Sequence, residues 1–525
     1  MKMTDAKKSL MITGKEAKEF FSSLRQFFIQ YYKDFFAGVK TLEKSDLIVK
    51  IGMVLAICTG FAFFCYLREG TGDLYMSVFI PAFFANAFVV FFGCVNKSSK
   101  YYSIITIILV ITGFALQIFM IDPFPTEEGS DPVEAVNERV IFIFAGILFS
   151  MLAMPILAFI TSENTDTKVL RYLIIGGTVV LYGLLLVLGK EVNGAKAWID
   201  IGFSIQVTEI TKVLAGIYFV LCVTDNNLSE KEKSIRKLLA LLIHAGFLAL
   251  VNEFGTLIMI GFIYLFLNVM FTKNKKLIIK ELVCLVIIFA LLLGVCYVFY
   301  KTAPETTEEK ATVAAEELIE EETTETTASQ DADEAEKKQL PTPQKLVDEA
   351  LGRVRSIYPK FTDRISGFLG IGEPDKINTY QVDSVKMALH YAEWFGTEKG
   401  WFGFVPEIDC DFVFVYLVAR LGIIGSIVVL IAFVLLFTET LICAVRSENI
   451  REAALAICFI CLIVVQSIIC MLSNLALFPV VGMPLAFLSD GGSALVVNMV
   501  MSFFIMYFMR EKRVLPVESE ATENV

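Results

Sequence analysis

Twelve long apolar runs limit what this chain can become. They fall at about 47–66, 75–94, 102–121, 140–160, 170–189, 203–223, 236–251, 255–272, 277–299, 411–438, 452–473 and 489–509. Most are near the ~20 residues that a bilayer-spanning helix needs. Hydrophobic residues make up 56% of the 525, above the roughly 45–50% of a water-soluble chain. The expected fold is an all-helical multipass membrane protein. Runs 236–251 and 255–272 are parted only around Asn252-Glu253-Phe254-Gly255 and read as a tight return through one face. Irregular backbone at membrane depth survives only where protein or a water-filled cavity satisfies it, so a cavity is expected there.

Basic residues give the threading a direction. The N-terminal arm, Lys97 to Lys100, Lys168 to Arg171, Lys231 to Lys237, Lys273 to Lys276, Arg446 to Arg451 and Arg510 to Arg513 all fall on one side of a twelve-span thread, which makes that side cytoplasmic. The other side receives Asp122 to Glu138, Lys190 to Gly202, the long loop 300–410 and Ser473 to Ser489. Residues 1–46 carry an amphipathic stripe from Phe20 to Phe36, expected as a helix on the membrane surface. Its apolar residues are periodic rather than continuous, so a cleavable signal peptide is not expected. Within the external loop, 303–339 is rich in Glu, Thr, Ala, Asp and Lys, a composition too polar to offset the entropy of ordering. An amphipathic helix on the outer surface is expected after it, through Leu346, Val347, Ala350, Leu351, Val354 and Ile357.

The net charge of −11 hides this separation and says little about partners. No basic stripe with interleaved aromatics lies outside the membrane-flanking segments, so nucleic acid is not an expected partner. Most of the eleven cysteines sit inside apolar runs and behave as small hydrophobes; Cys458 and Cys461 read as packing residues on adjacent turns. His244 and His390 have no metal-ligand spacing.

Four polar constellations interrupt the apolar pattern. The first runs from Asn193 through Lys196, Trp198 and Asp200 to Glu209 and Lys212. Glu209 and Lys212 share one helix face and can pair, either as a structural ion pair or as contacts for an anionic lipid head group. The second is Asn252 to Thr256 at the helix break. The third is Val405-Pro406-Glu407-Ile408-Asp409-Cys410-Asp411-Phe412, where Asp411 stands at a membrane mouth. A carboxylate held partly out of water there gains basicity, although Asp also favours helix N-caps. The fourth is Pro479 to Ser493, whose prolines and glycines break a helix and whose Gly491-Gly492-Ser493 exposes backbone donors, as unwound membrane segments at substrate sites do.

In order, these read Gly-Ala-Lys-x-Trp-Ile, Gln-x-x-Glu-x-x-Lys, Phe-Gly-Thr, Pro-Glu-x-x-x-Asp-Phe-x-Phe, then Gln-Ser, Asn-Leu and Phe-Pro-Val-x-Gly-x-Pro-Leu-x-Phe-x-Ser-x-Gly-Gly-Ser. With Arg364, Phe368-Leu369 and Tyr380-Gln381, the stretch from about 190 to 510 resembles the SEDS family (FtsW, RodA, SpoVE) of peptidoglycan glycosyltransferases. Five spans precede the Gly-Ala-Lys motif where the family has three. The resemblance thus implies a ten-helix core with two extra N-terminal helices and a long extracellular loop before the tenth predicted span. The expected division is a cytoplasmic segment 1–46, N-terminal membrane helices 47–161, a first core part 162–299, the external loop 300–410, core helices 411–510 and a cytoplasmic tail 511–525.

The resemblance implies polymerisation of lipid II outside the bacterial cytoplasmic membrane, beside a class B penicillin-binding protein that cross-links the strands. Asp411 takes the place of the family's catalytic aspartate. The implied substrate-binding set is Lys196, Trp198, Glu209, Lys212, Arg364, Ser489, Gly491, Gly492 and Ser493, with Lys196, Lys212 and Arg364 as candidates to meet the departing pyrophosphate. The one cofactor to consider is a divalent cation, Mg or Mn. The chain departs from the family at Val207-Thr208-Glu209 (Pro-Ser-Glu), Glu253 (Asp), Asp490 (Tyr), and Ala419 and Arg420 (two glutamates). Asp490 is therefore a candidate modifier of a metal or head-group contact. A lipid II flippase and a catalytically silent scaffold are the alternatives.

Overall fold

The computed structural model describes residues 14–42, 47–56, 58–59, 72–121, 132–163, 165–192, 195–200, 202, 204–272, 274–302, 343–371, 377–397 and 405–510. The acidic insert 303–339, the tail 511–525, residues 122–131, and Asn193 and Gly194 lie outside them. The described helices are α1 (Gly14–Lys40), α2 (Leu47–Ala56), α3 (Gly72–Val95), α4 (Lys100–Ile121), α5 (Pro132–Thr161), α6 (Thr167–Leu188), α7 (Val207–Val223), α8 (Glu230–Leu250), α9 (Phe254–Phe271), α10 (Lys275–Thr302), α11 (Pro343–Leu369), α12 (Ile377–His390), α13 (Val413–Val445), α14 (Ile450–Asn474) and α15 (Gly492–Phe508). Each apolar run meets one of them. Six of the described helices, α5 from Arg139, α6, α9, α10, α13 and α14, are long and apolar enough to cross a membrane.

Helix α14 is the axis of the bundle. It is largely apolar, and a helix of that kind must be covered on most sides; α7, α9, α13, α15 and α5 do so, leaving Cys458, Phe459, Leu462 and Ile463 inaccessible. Asn449 caps its start by accepting the amide of Glu452, and Ser229 and Glu232 form a reciprocal capping box at the start of α8. Helix α10 is the opposite case: of its described residues only Glu281 and Cys296 are buried. Glu281 holds its foot to the bundle, accepting from Tyr264 Oη at 2.7 Å and Asn268 Nδ2 at 2.6 Å, while Lys237 donates to Asn268 Oδ1. Its other end stacks on α11 through Tyr297 and Tyr300 against Tyr358.

The polar stretch expected as a plain loop after α6 folds into a small antiparallel sheet, ordered β1 (Lys190–Val192), β2 (Ala195–Asp200), β3 (Ser204–Gln206), with Trp198 opposite Lys190 and Gln206. The run beginning at 203 is therefore strand first and helix only from Val207. Lys196 N donates to Val251 O at 3.0 Å, which ties β2 to the break between α8 and α9.

Two further irregularities are satisfied by foreign segments. Pro155 lies inside α5 and cannot donate to the carbonyl four residues back; that carbonyl, Met151 O, accepts the hydroxyl of Tyr32 from α1 at 3.1 Å instead. Helix α13 breaks at Gly422 (φ 74°, ψ −178°), where the segment after α12 passes so close that a Cβ would lie 2.3 Å from Gly396 N. The loop supplies the missing bonds: Ile423 N donates to Glu393 O (3.0 Å), Ile424 N to Trp394 O (3.2 Å), and Thr397 N to Ala419 O (2.8 Å).

Candidate active site

Asp411 lies in the tight turn that enters α13, where Cys410 N and Phe412 N both donate to Glu407 O. If its carboxylate capped α13, it would accept the first helical amides. It does not: those of Phe414 and Val415 go to Asn474 Oδ1 at 3.1 and 3.2 Å, and the N-cap position, Phe412, makes no side-chain cap. Asn474 reaches across from the end of α14 and also donates Nδ2 to Asp411 O at 2.8 Å. The capping function is met by another residue, and the carboxylate is left for other work.

That carboxylate sits in an unfavourable place for charge. Desolvation by the surrounding protein, then the charges of Glu407 and Asp409, push Asp411 from 3.8 up to about 7, against the pull of Arg364. Glu253, at the break before α9, is pushed by burial from 4.5 to about 7, and Arg364 again opposes. Burial lowers the pKa of Arg364 itself, with Glu253 and then Asp411 acting against it. One guanidinium from α11 thus acts electrostatically on two carboxylates, each pushed up to about 7. It is fixed by donation to Val480 O (3.2 Å) and by lying 5.8 Å from the ring centre of Phe254. Opposite, Gly482 has φ +60°, and a Cβ there would lie 3.2 Å from Asp411 Oδ2. The left-handed backbone and the close approach both call for glycine.

The Pro-Leu-x-Phe-x-Ser-x-Gly-Gly-Ser segment clamps the Asp411 turn from its other side. Ser489 Oγ donates to Cys410 O and accepts Leu485 N, both at 2.6 Å, and Asp490 N donates to Asp409 O at 3.0 Å. The clamp rests on Arg139 of α5, a residue that the sequence reading passed over. Fully enclosed at 1% exposure, Arg139 donates to Ser489 O (2.8 Å) and Phe487 O (2.6 Å) and lies 3.8 Å from Asp490 Oδ1. Its position at the start of an apolar run reads as an ordinary boundary charge; the partners 350 residues away leave no local signal.

The other expected residues are spread around this centre. Glu209 and Lys212 form their i, i+3 pair at 2.5 Å, and Lys212 also donates to Gln466 Oε1 (2.6 Å), whose amide donates to Pro484 O (2.8 Å). The ammonium of Lys196 is buried against Leu186 O at 2.9 Å, while Trp198 stays in the middle strand. Gly491 and Gly492 open α15, and Ser493 Oγ accepts Gln206 N at 3.0 Å, which joins the clamp to the sheet. Ala419 and Arg420 are buried on α13, with Arg420 Nε donating to Tyr416 Oη at 3.0 Å. Among the described residues no three His, Cys, Asp or Glu side chains are grouped to hold a metal ion.

Fold and site together define an integral membrane protein with a buried carboxylate at one end of its helix bundle. The family model of the FtsW, RodA and SpoVE cell cycle proteins matches residues 100–303 and 356–514; the chain belongs to that family. A relative from Coxiella burnetii, "Probable peptidoglycan glycosyltransferase FtsW", is 25% identical over 342 residues, 62% of this chain and 74% of the relative. One of the same description from Halomonas elongata is 32% identical over 160 residues, 29% of this chain and 40% of the relative. This chain thus spans less than half the length of the Halomonas protein and about three quarters of the Coxiella one. Among solved structures, a chain described under "Structural coordination of polymerization and crosslinking by a peptidoglycan synthase complex" shares the fold, with a TM-score of 0.52 and 17% identity over 79% of this chain and 98% of that one.

Proposed function

We propose that this protein is a peptidoglycan glycosyltransferase that polymerises lipid II at the outer face of the cytoplasmic membrane, with both termini in the cytoplasm. The single observation that carries the reading is Asp411: a carboxylate pushed up to about 7 and pulled down electrostatically by Arg364, and relieved of helix capping by Asn474. A general base works best when its pKa lies near the working pH. Asp411 takes the proton from the acceptor sugar's 4-hydroxyl, and the freed oxygen attacks the donor's anomeric carbon. The bond to the polyprenyl pyrophosphate breaks on the opposite face, which inverts the centre. Charge gathers on the departing pyrophosphate, and Arg364 is the cation best placed beside the base to meet it. Lys212 and Lys196, committed to Glu209 and to Leu186 O, hold the walls of the site. The names of the relatives support the reaction class, and a class B penicillin-binding protein is the partner proposed.

The test is glycan-strand formation from labelled lipid II by purified protein, with and without that partner, comparing wild type with Asp411→Ala. Polymer that forms with wild type and vanishes with Asp411→Ala supports the reading. No polymer from intact, partner-bound wild type overturns it in favour of a scaffold or a flippase, which a lipid-translocation assay then tells apart.

A further inference from the structure

Helix α1 precedes the family-matched region, which begins at residue 100, and it has two finished faces. One packs on the bundle: Phe20 and Tyr31 are buried, Phe20 and Phe27 stack edge-on against Phe159, Tyr31 lies against Tyr507, and Phe35 against Phe92. These contacts lie towards the C-terminal ends of α3, α5 and α15, whereas Arg139 and Gly492, at the N-terminal ends of α5 and α15, belong to the Asp411 site. Helix α1 therefore crosses the end of the bundle away from that site. A second face gathers the acidic groups, with Asp34 accepting from Gln30, Glu19 near Lys15, and Glu16 near Lys168.

The third face is a ribbon with residues three or four apart, which places them on one side of a helix. It alternates cations, Lys18, Arg25, Lys33 and Lys40, with Phe21, Ile29 and Phe36. The three apolar side chains are exposed by 56%, 50% and 60%, and the four cations are exposed too. Large apolar groups in a row are costly in water, and lysine is depleted where proteins bind proteins. A bilayer interface suits both kinds of residue: rings and branched chains enter the acyl boundary while Lys and Arg stems reach back to the phosphates.

We propose that this ribbon binds acidic phospholipid head groups of the leaflet at the bundle end opposite Asp411. Its charges are all of one sign, the complement of an anionic lipid surface, and the acidic groups of α1 lie on its other faces.

The probe is the full-length protein carrying Phe21→Trp, in nanodiscs containing brominated phosphatidylglycerol or brominated phosphatidylcholine. The signal of native Trp198, Trp394 and Trp401 is subtracted using the parent protein. Quenching by the acidic lipid is expected to exceed that by the zwitterionic one by about twofold. It should fall to parity when Lys18, Arg25, Lys33 and Lys40 become Gln. Raising salt on the unmutated cations should weaken the preference as well, which guards against a misfolded variant. Equal quenching by both lipids overturns head-group selection. No quenching by either means that another protein or a second copy covers the face, and the proposal fails. Neither readout depends on polymerase activity.

Discussion

Asn474 grips Asp411 by its backbone, donating to the carbonyl at 2.8 Å, while its other amide atom caps the helix that Asp411 precedes. Asn474→Ala removes three hydrogen bonds at a buried helix start and is expected to destabilise the protein by about 1–3 kcal/mol. Misplacing Asp411, the proposed base, should also lower polymerisation by about a hundredfold. Unchanged turnover alongside a lowered thermal midpoint would show that the grip is structural only.

The pH profile follows from the same carboxylate. A base must be ionised, so polymerisation is expected to rise with pH through about 7 rather than near the usual 3.8. Glu407 is the leading charge that raises Asp411. Glu407→Gln should move the rising limb to lower pH, and initial rates across about pH 5 to 9 check it.

Stability runs the other way. Asp411 and Glu253 hold their protons more tightly in the folded protein than in the unfolded chain. Their contribution is complete below the unfolded values and is lost as pH rises through about 7. Asp411→Asn and Glu253→Gln are therefore each expected to raise the thermal midpoint at alkaline pH, with a smaller gain in mild acid. A gain that is equal at both pH values would contradict the assignment.

Arg139 and Asp490 separate two ways of holding the clamp. Arg139→Met leaves two buried carbonyls without donors and should cost about 3 kcal/mol. Asp490→Asn weakens a 3.8 Å pair to a partly exposed carboxylate and should cost about 1 kcal/mol or less. Thermal denaturation of the two variants ranks them; equal losses would make the carboxylate, not the carbonyls, the anchor.

Gly482→Ala tests the crowding beside Asp411 Oδ2. With φ at +60° the new residue costs about 1–2 kcal/mol of backbone strain, and its Cβ presses on the carboxylate. Activity should fall further than stability accounts for, read as kcal/mol of lost turnover against lost thermal midpoint.

Much of this was legible from residues close together in sequence. The apolar runs announce the helices, and the spacing of Glu209 and Lys212 announces their pair. Asp411 stood out because a carboxylate at the head of an apolar run belongs to a quoted motif. What escaped depends on distant partners: Arg139 meets its acceptors 348 and 350 residues on, and Asn474 lies 60 residues beyond the amides it caps. The small sheet was hidden for another reason. Strands of three to six residues are too short for alternation to show.

The splice at Gly422 has a mechanical meaning. Helix α13 is not one rod but an upper piece, Val413 to Leu421, jointed to a lower one, and the joint is knitted from the peptide of residues 393–397. Residues 393–397 are thus joined to Asp411 through only nine residues of helix. The joint divides the shaft so that its short arm carries Asp411.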